Sequence, residues 1–125
     1  MIALGLILAS SIISFDTTKC DPLELSKRFE CVKKTYVKSD NKLNQIYQEL
    51  LKFYDSDYEG IGEPRAKLLK QAQRDWIKFR DSSCNFENPQ GMGSGGEGYG
   101  VQYLTCQLKK TTERINYMNS YIPKN

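Results

Sequence analysis

The sequence predicts an all-α fold: a small three-helix up-down-up bundle with two disulfides and a glycine-rich loop between helices two and three. Three observations carry this. Apolar residues recur at spacings of three and four through three long stretches, as on a helix with one buried face. Glycine-bearing segments separate those stretches. No segment alternates apolar and polar residues as a half-buried strand does.

The first helix is expected over residues 22–54, with Phe29, Val32, Tyr36, Leu43, Tyr47, Leu50 and Tyr54 on its inner face. Pro22 suits a first helical position, and Asp21 a cap. The turn DSDYEGIGE follows, broken by Gly60 and Gly62. Pro64 opens the second helix, which runs to about Ser83 and carries Leu69, Ala72, Trp76 and Phe79 as its stripe. The glycine loop spans 85–100. The third helix covers 101–121, with Val101, Leu104, Leu108, Ile115, Met118 and Ile122 inward. There are no internal repeats.

Residues 2–15 are apolar and uncharged. The run is short for a bilayer span and right for the core of a signal peptide. No Lys or Arg precedes it, and Ala9-Ser10-Ser11 is the nearest approach to a small-x-small cleavage site. Residues 1–15 therefore read as a signal peptide and 16–125 as one domain in the periplasm or secreted. Cys20 lies beyond Thr18 and Lys19 rather than closing the apolar run, which argues against a lipid anchor. No stable membrane attachment is expected after cleavage.

An even count of four cysteines in a small exported chain reads as two disulfides. Sequence leaves three pairings open; Cys20–Cys31 with Cys84–Cys106 is the one expected. The absence of His and of any CxxC spacing argues against zinc, and neither metal nor cofactor is expected. Asp55, Asp57, Glu59 and Gly60 resemble the start of a calcium loop, but Ala66 stands where a bidentate Glu is needed. Without His there is no Ser-His or Cys-His catalysis, so an enzyme is not expected. The net charge of +3 is dispersed, and Lys33, Lys34, Lys38 and Lys42 read as a solvated helix face. Nucleic acid would want a denser patch.

The segment QAQRDWIKFRDSSC places Gln73, Arg80 and Asp81 on or beside a buried face. Buried charge is costly unless paired. An antiparallel hairpin sets Asp40 level with Phe79 and Arg80, and Asp40 occupies a core position between Tyr36 and Leu43. An Asp40–Arg80 ion pair is therefore expected, with Asn44 one turn away. A Cys84–Cys106 bridge would bring Thr111 beside Arg80. Asp40, Asn44, Gln73, Arg80, Asp81, Thr111 and Arg114 form the expected structural polar network.

These same residues resemble the family of the lysozyme inhibitor LprI. The matching elements are Cys31; Asp40-x-x-Leu43-Asn44-x-x-Tyr47; Leu69-x-x-Ala72-Gln73-Arg74-x-Trp76-Ile77-x-Phe79-Arg80-Asp81-x-x-Cys84; Cys106; and Thr111-x-x-Arg114. The resemblance implies a helical, disulfide-bonded exported domain and a protein partner, a lysozyme-like hydrolase. On that basis the chain is expected to be a binding protein that inhibits lysozyme or another peptidoglycan-cleaving enzyme by steric blocking. Two alternatives are a periplasmic immunity protein against a secreted toxin and a structural envelope protein with no enzyme target. The contact candidates are Gly93, Ser94, Gly95, Gly96, Glu97 and Tyr99 in the loop, and Asp55, Asp57 and Glu59 in the acidic turn. Sequence does not give the oligomeric state.

Overall fold

The computed structural model describes residues 12–56, 59–89 and 96–123. Within them the elements are a 3-10 turn, Thr18–Cys20, followed by α1 (Leu25–Asp55), α2 (Arg65–Glu87) and α3 (Gly96–Asn119), with no strand among the described residues. Of the glycine loop expected over 85–100, residues 90–95 lie outside the described set, while 85–87 belong to α2 and 96–100 to α3.

At 31 residues α1 is the longest element, about 46 Å end to end. Its buried stripe is Val32, Thr35, Ser39, Leu43, Ile46, Leu50 and Tyr54. The first half of that stripe is small and polar, the second half aliphatic. Thr35 and Ser39 turn their hydroxyls onto Cys31 O and Tyr36 O of their own helix, at 3.0 and 2.7 Å, so neither is left unpaired. The aliphatic half joins Ala66, Ile115 and Met118 in the main core cluster. Helix α1 packs most extensively on α3 and less on α2. Phe29 meets Gly100 at one end, and Tyr54 meets Tyr121 and Arg65 at the other. These contacts make α1 and α3 parallel and α2 antiparallel to both: up-down-up.

Both expected disulfides are present, Cys20–Cys31 and Cys84–Cys106, each with Cα atoms 5.7 Å apart. The first folds the N-terminal turn back onto α1. That is why α1 begins at Leu25 rather than Pro22: Pro22 lies in the reversal between Cys20 and the helix, and Glu24 takes the N-cap position. Ahead of the turn, Ile13 and Phe15, which fall in the segment read as a leader, pack half-buried against the main core.

Two further boundaries differ from expectation. The inner stripe of α2 is Ala66, Leu69, Gln73, Trp76, Arg80 and Cys84, while Ala72 is exposed and Phe79 is 62% exposed. Cys84 fixes the phase, since it must face α3, and steps of three and four back from it fall on Arg80 and Gln73. Helix α3 begins at Gly96, so the end of the expected loop is helical. Gly96 holds a left-handed φ of +63°, where a side chain would be strained. A Cβ on Gly100 would lie 2.5 Å from Phe29 Cε1. Glycine is poor in helices by about 1 kcal/mol relative to Ala, and close approach to α1 accounts for its use there.

Gly100→Val is expected to lower stability by about 1–3 kcal/mol through overpacking. Adding Phe29→Ala should remove part of that cost. Denaturant melts of the two singles and the double measure the coupling, and strict additivity would contradict the contact.

Candidate functional site

Arg80 is 8% exposed and sits where all three helices meet. Its Nε donates to Asp81 Oδ1 at 2.9 Å, and its Nη1 donates to Thr111 Oγ1 on α3 at 3.3 Å. The guanidinium lies 5.9 Å from the Tyr36 ring on α1 and 5.1 Å from the Trp76 ring. Gln107 of α3 completes the group, with Nε2 donating to the same Asp81 oxygen at 2.8 Å. Asp81 is thus a bridge between Arg80 and α3. Gln107 was missed from sequence, and its place one turn before Thr111 is the one feature that points to it.

The Asp40–Arg80 ion pair does not form. Among the described residues the ion pairs are Lys67–Glu63, Arg80–Asp81 and Lys110–Glu87. Tyr36, not Asp40, stands level with Arg80. Asp40 is half-buried at the edge of the α1 stripe, where Ser39 takes the core position, and Asn44 is exposed. Neither belongs to the network. Asp40 still acts at a distance, its charge raising the Tyr36 phenol, although burial is the larger cause of that rise and Arg80 opposes it.

A second guanidinium continues the pattern. Arg114 of α3 donates from Nε to Gln73 Oε1 at 2.9 Å and lies 5.6 Å from the Trp76 ring and 5.1 Å from the Tyr117 ring. Its Nη2 is buried without a hydrogen-bond acceptor, in line with its aromatic surroundings, and burial lowers its pKa. The result is a ladder, Tyr36–Arg80–Trp76–Arg114–Tyr117, in which cations alternate with rings. It runs from the interior to the turn end of the bundle.

At that end Tyr54, Arg65, Leu68, Leu69, Tyr117 and Tyr121 line a groove of about 230 Å³. Arg65 lies 4.2 Å from the Tyr54 ring, and Tyr117 meets Tyr121 edge-on at 5.2 Å. Asp55 and Glu59 stand exposed in the adjoining turn, as does Glu63, which pairs with Lys67 at 3.2 Å. Asp57 lies outside the described residues.

The opposite end holds the start of α3. Glu97 is exposed, and Tyr99 stacks on Tyr103 at 5.8 Å. Gly93, Ser94 and Gly95 lie outside the described residues. Cys84–Cys106 and the 3.0 Å Lys110–Glu87 pair brace this end. The same end of α1 carries a larger groove, about 720 Å³, lined by Lys19, Lys27, Lys33, Lys34 and Lys38 against a single Glu30. The two groups of contact candidates therefore lie at opposite ends, about 30 Å apart along α3. One small interface cannot use both.

The arrangement holds no group of three His, Cys, Asp or Glu residues able to bind a metal among the described residues. No helix among them is long and apolar enough to cross a membrane. What it offers is a rigid surface, and comparison with known families specifies its kind. The family model described as lysozyme inhibitor LprI matches residues 21–118. The chain belongs to this family. Its LprI match takes in the Cys84–Cys106 disulfide, the Arg80 cluster and the ladder, and begins one residue after Cys20. The chain is also similar to the uncharacterized protein YecT of Escherichia coli strain K12, with 26% identity over 97 residues covering 73% of this chain. It spans 60% of that protein's length. No solved structure matches. The family's description is that of an inhibitor of an enzyme. The two disulfides fit an oxidising compartment outside the cytoplasm.

Arg80→Ala is expected to cost about 3 kcal/mol or more, since it removes a buried hub and leaves Asp81 and Thr111 without their shared donor. Asp40→Ala should cost under about 1 kcal/mol. Denaturant titration separates them; equal losses would contradict the described geometry. A pH prediction follows from Tyr36. Burial raises its phenol above the ordinary 10.0, so folding favours the protonated form. That contribution is complete below pH 10 and is lost as pH rises through the higher folded value. Tyr36→Phe should flatten the fall in melting temperature above pH 10.

Proposed function

We propose that this chain is an exported protein that binds a lysozyme or another peptidoglycan-cleaving enzyme and blocks its cleft sterically. The observation that carries the reading is the match of residues 21–118 to the lysozyme inhibitor LprI family. Two disulfides in a small domain support export to an oxidising compartment, with the apolar run near the N-terminus supplying the leader signal.

Charge supports one end of the bundle over the other as the contact. Animal-type lysozymes are basic, so a complementary surface is acidic. The five-lysine groove lies at the loop end and opposes such a partner. The turn end offers Asp55 and Glu59 beside a groove of tyrosines, the residue types enriched at binding hot spots. In this reading Asp55, Asp57 and Glu59 steer the target, while Tyr117 and Tyr121 anchor it. Gly93, Ser94, Gly95, Gly96, Glu97 and Tyr99 form the competing surface.

The test is a turbidity assay of cell-wall lysis with a panel of lysozymes and the oxidised protein. Protection at micromolar protein is expected. The double variant Asp55→Lys with Glu59→Lys should weaken it at least about tenfold, as should Tyr121→Ala, whereas Tyr99→Ala should leave it unchanged. A loss confined to Tyr99→Ala would move the contact to the loop end. Absence of protection across the panel would end the lysozyme reading.

A further inference from the structure

We infer that the mature protein begins at Ile12, released by hydrolysis of the Ser11–Ile12 bond, and that residues 13–15 are a structural strap rather than part of a leader. The inference rests on the export reading above and locates the processing that reading requires.

The end of the apolar run suggests a cut near Phe15. The structure argues for an earlier one. Ile13 N donates to Asn116 Oδ1 at 2.9 Å, and Asn116 Nδ2 donates back to Ile13 O at 2.8 Å. One side-chain amide thus satisfies both backbone groups of Ile13, as a neighbouring strand would. Asn116 is itself held, its Nδ2 also donating to Thr112 O at 3.0 Å. Around this clasp the chain alternates: Ile13, Phe15 and Thr17 are half-buried, while Ile12, Ser14 and Asp16 are exposed. That period of two is an extended segment with one face down. The down face meets the core cluster of Leu43, Ile46, Leu50, Ile115 and Met118.

The strap then continues without a break into fixed structure. Asp16 Oδ1 accepts from Thr18 N at 2.9 Å, which opens the 3-10 turn, and Cys20 is bonded to Cys31. A cut after Phe15 would strip two apolar side chains from the core and leave the partly buried Asn116 amide without its strap partners. A cut before Ile12 costs none of this. The Ile12 side chain is 82% exposed, so a new ammonium there enters water. Ala9 and Ser11 then fall three and one residues before the broken bond, the small-x-small spacing read by export peptidases. In the reaction water adds to the Ser11 carbonyl carbon, the C–N bond breaks, and Ile12 leaves as the amine. The co-reactant is water, and the catalyst a leader peptidase of the export pathway.

The full chain expressed in an exporting bacterium, purified from the extracytoplasmic fraction and read by intact mass and N-terminal sequencing, tests the cut. Ile12 is the expected first residue. A first residue at Ser14 or beyond would overturn the inference. A cytoplasmic chain that keeps Met1 would overturn the export reading and the cut with it. The strap is tested separately by thermal melting of chains beginning at Ile12 and at Asp16. The longer chain should melt at least about 5 °C higher, and Asn116→Ala should erase part of that difference. Equal melting temperatures would overturn the strap whatever the site of cleavage.

Discussion

Arg80 holds a full charge at the level where α1, α2 and α3 converge, and the surrounding side chains are arranged to accommodate it. A guanidinium has donors in its plane and an apolar face on either side. Asp81 and Thr111 take donors in the plane, and Tyr36 and Trp76 lie near the faces. Each helix contributes at least one of these groups, so a shift of any helix by one turn would strand the charge. Net stability from such a group is modest, but the cost of misplacing it is several kcal/mol. Register, more than affinity between helices, is what the cluster supplies.

The remainder of the bundle accords with that constraint. Cys84 lies one turn beyond Arg80 on the same face, and its bond to Cys106 pins α2 to α3 at the matching height. Gln107 and Thr111 follow on α3, meeting Asp81 and Arg80 in order. Farther along, Arg114 donates to the Gln73 amide, and the neighbouring rings carry the pattern to the tyrosine groove. The proposed contact surface therefore stands on a scaffold fixed from the interior.

Much of this was legible in the sequence, and the failures have physical causes. Three helices and their order followed from spacing and breakers; the cysteine count implied two disulfides but left three pairings open, and the pairing expected is the one observed. The inner face of α2 was misread at Ala72 and Phe79, apolar residues that lie one step round from the true stripe, which Leu69 and Trp76 share with Gln73 and Arg80. Polar Gln73 and Arg80 are buried because partners on α3 satisfy them, which propensity cannot express. Asp40 was expected to pair with Arg80 from its height and from a core position between Tyr36 and Leu43; the phase of α1, set by Thr35, Ser39 and Leu43, turns it to the edge. The start of α3 was missed because glycine is a poor helix former, while the tight approach of Phe29 to Gly100 is visible only in three dimensions. The two contact candidates were separable only once the bundle's direction was known.

The Cys84–Cys106 bond has one more consequence. It closes a covalent ring of chain that contains the whole connection between α2 and α3. Cleavage of any one peptide bond inside that ring leaves a single molecule, with its helices still tethered at the level of the buried arginine. The chain can thus be nicked there without shedding a helix.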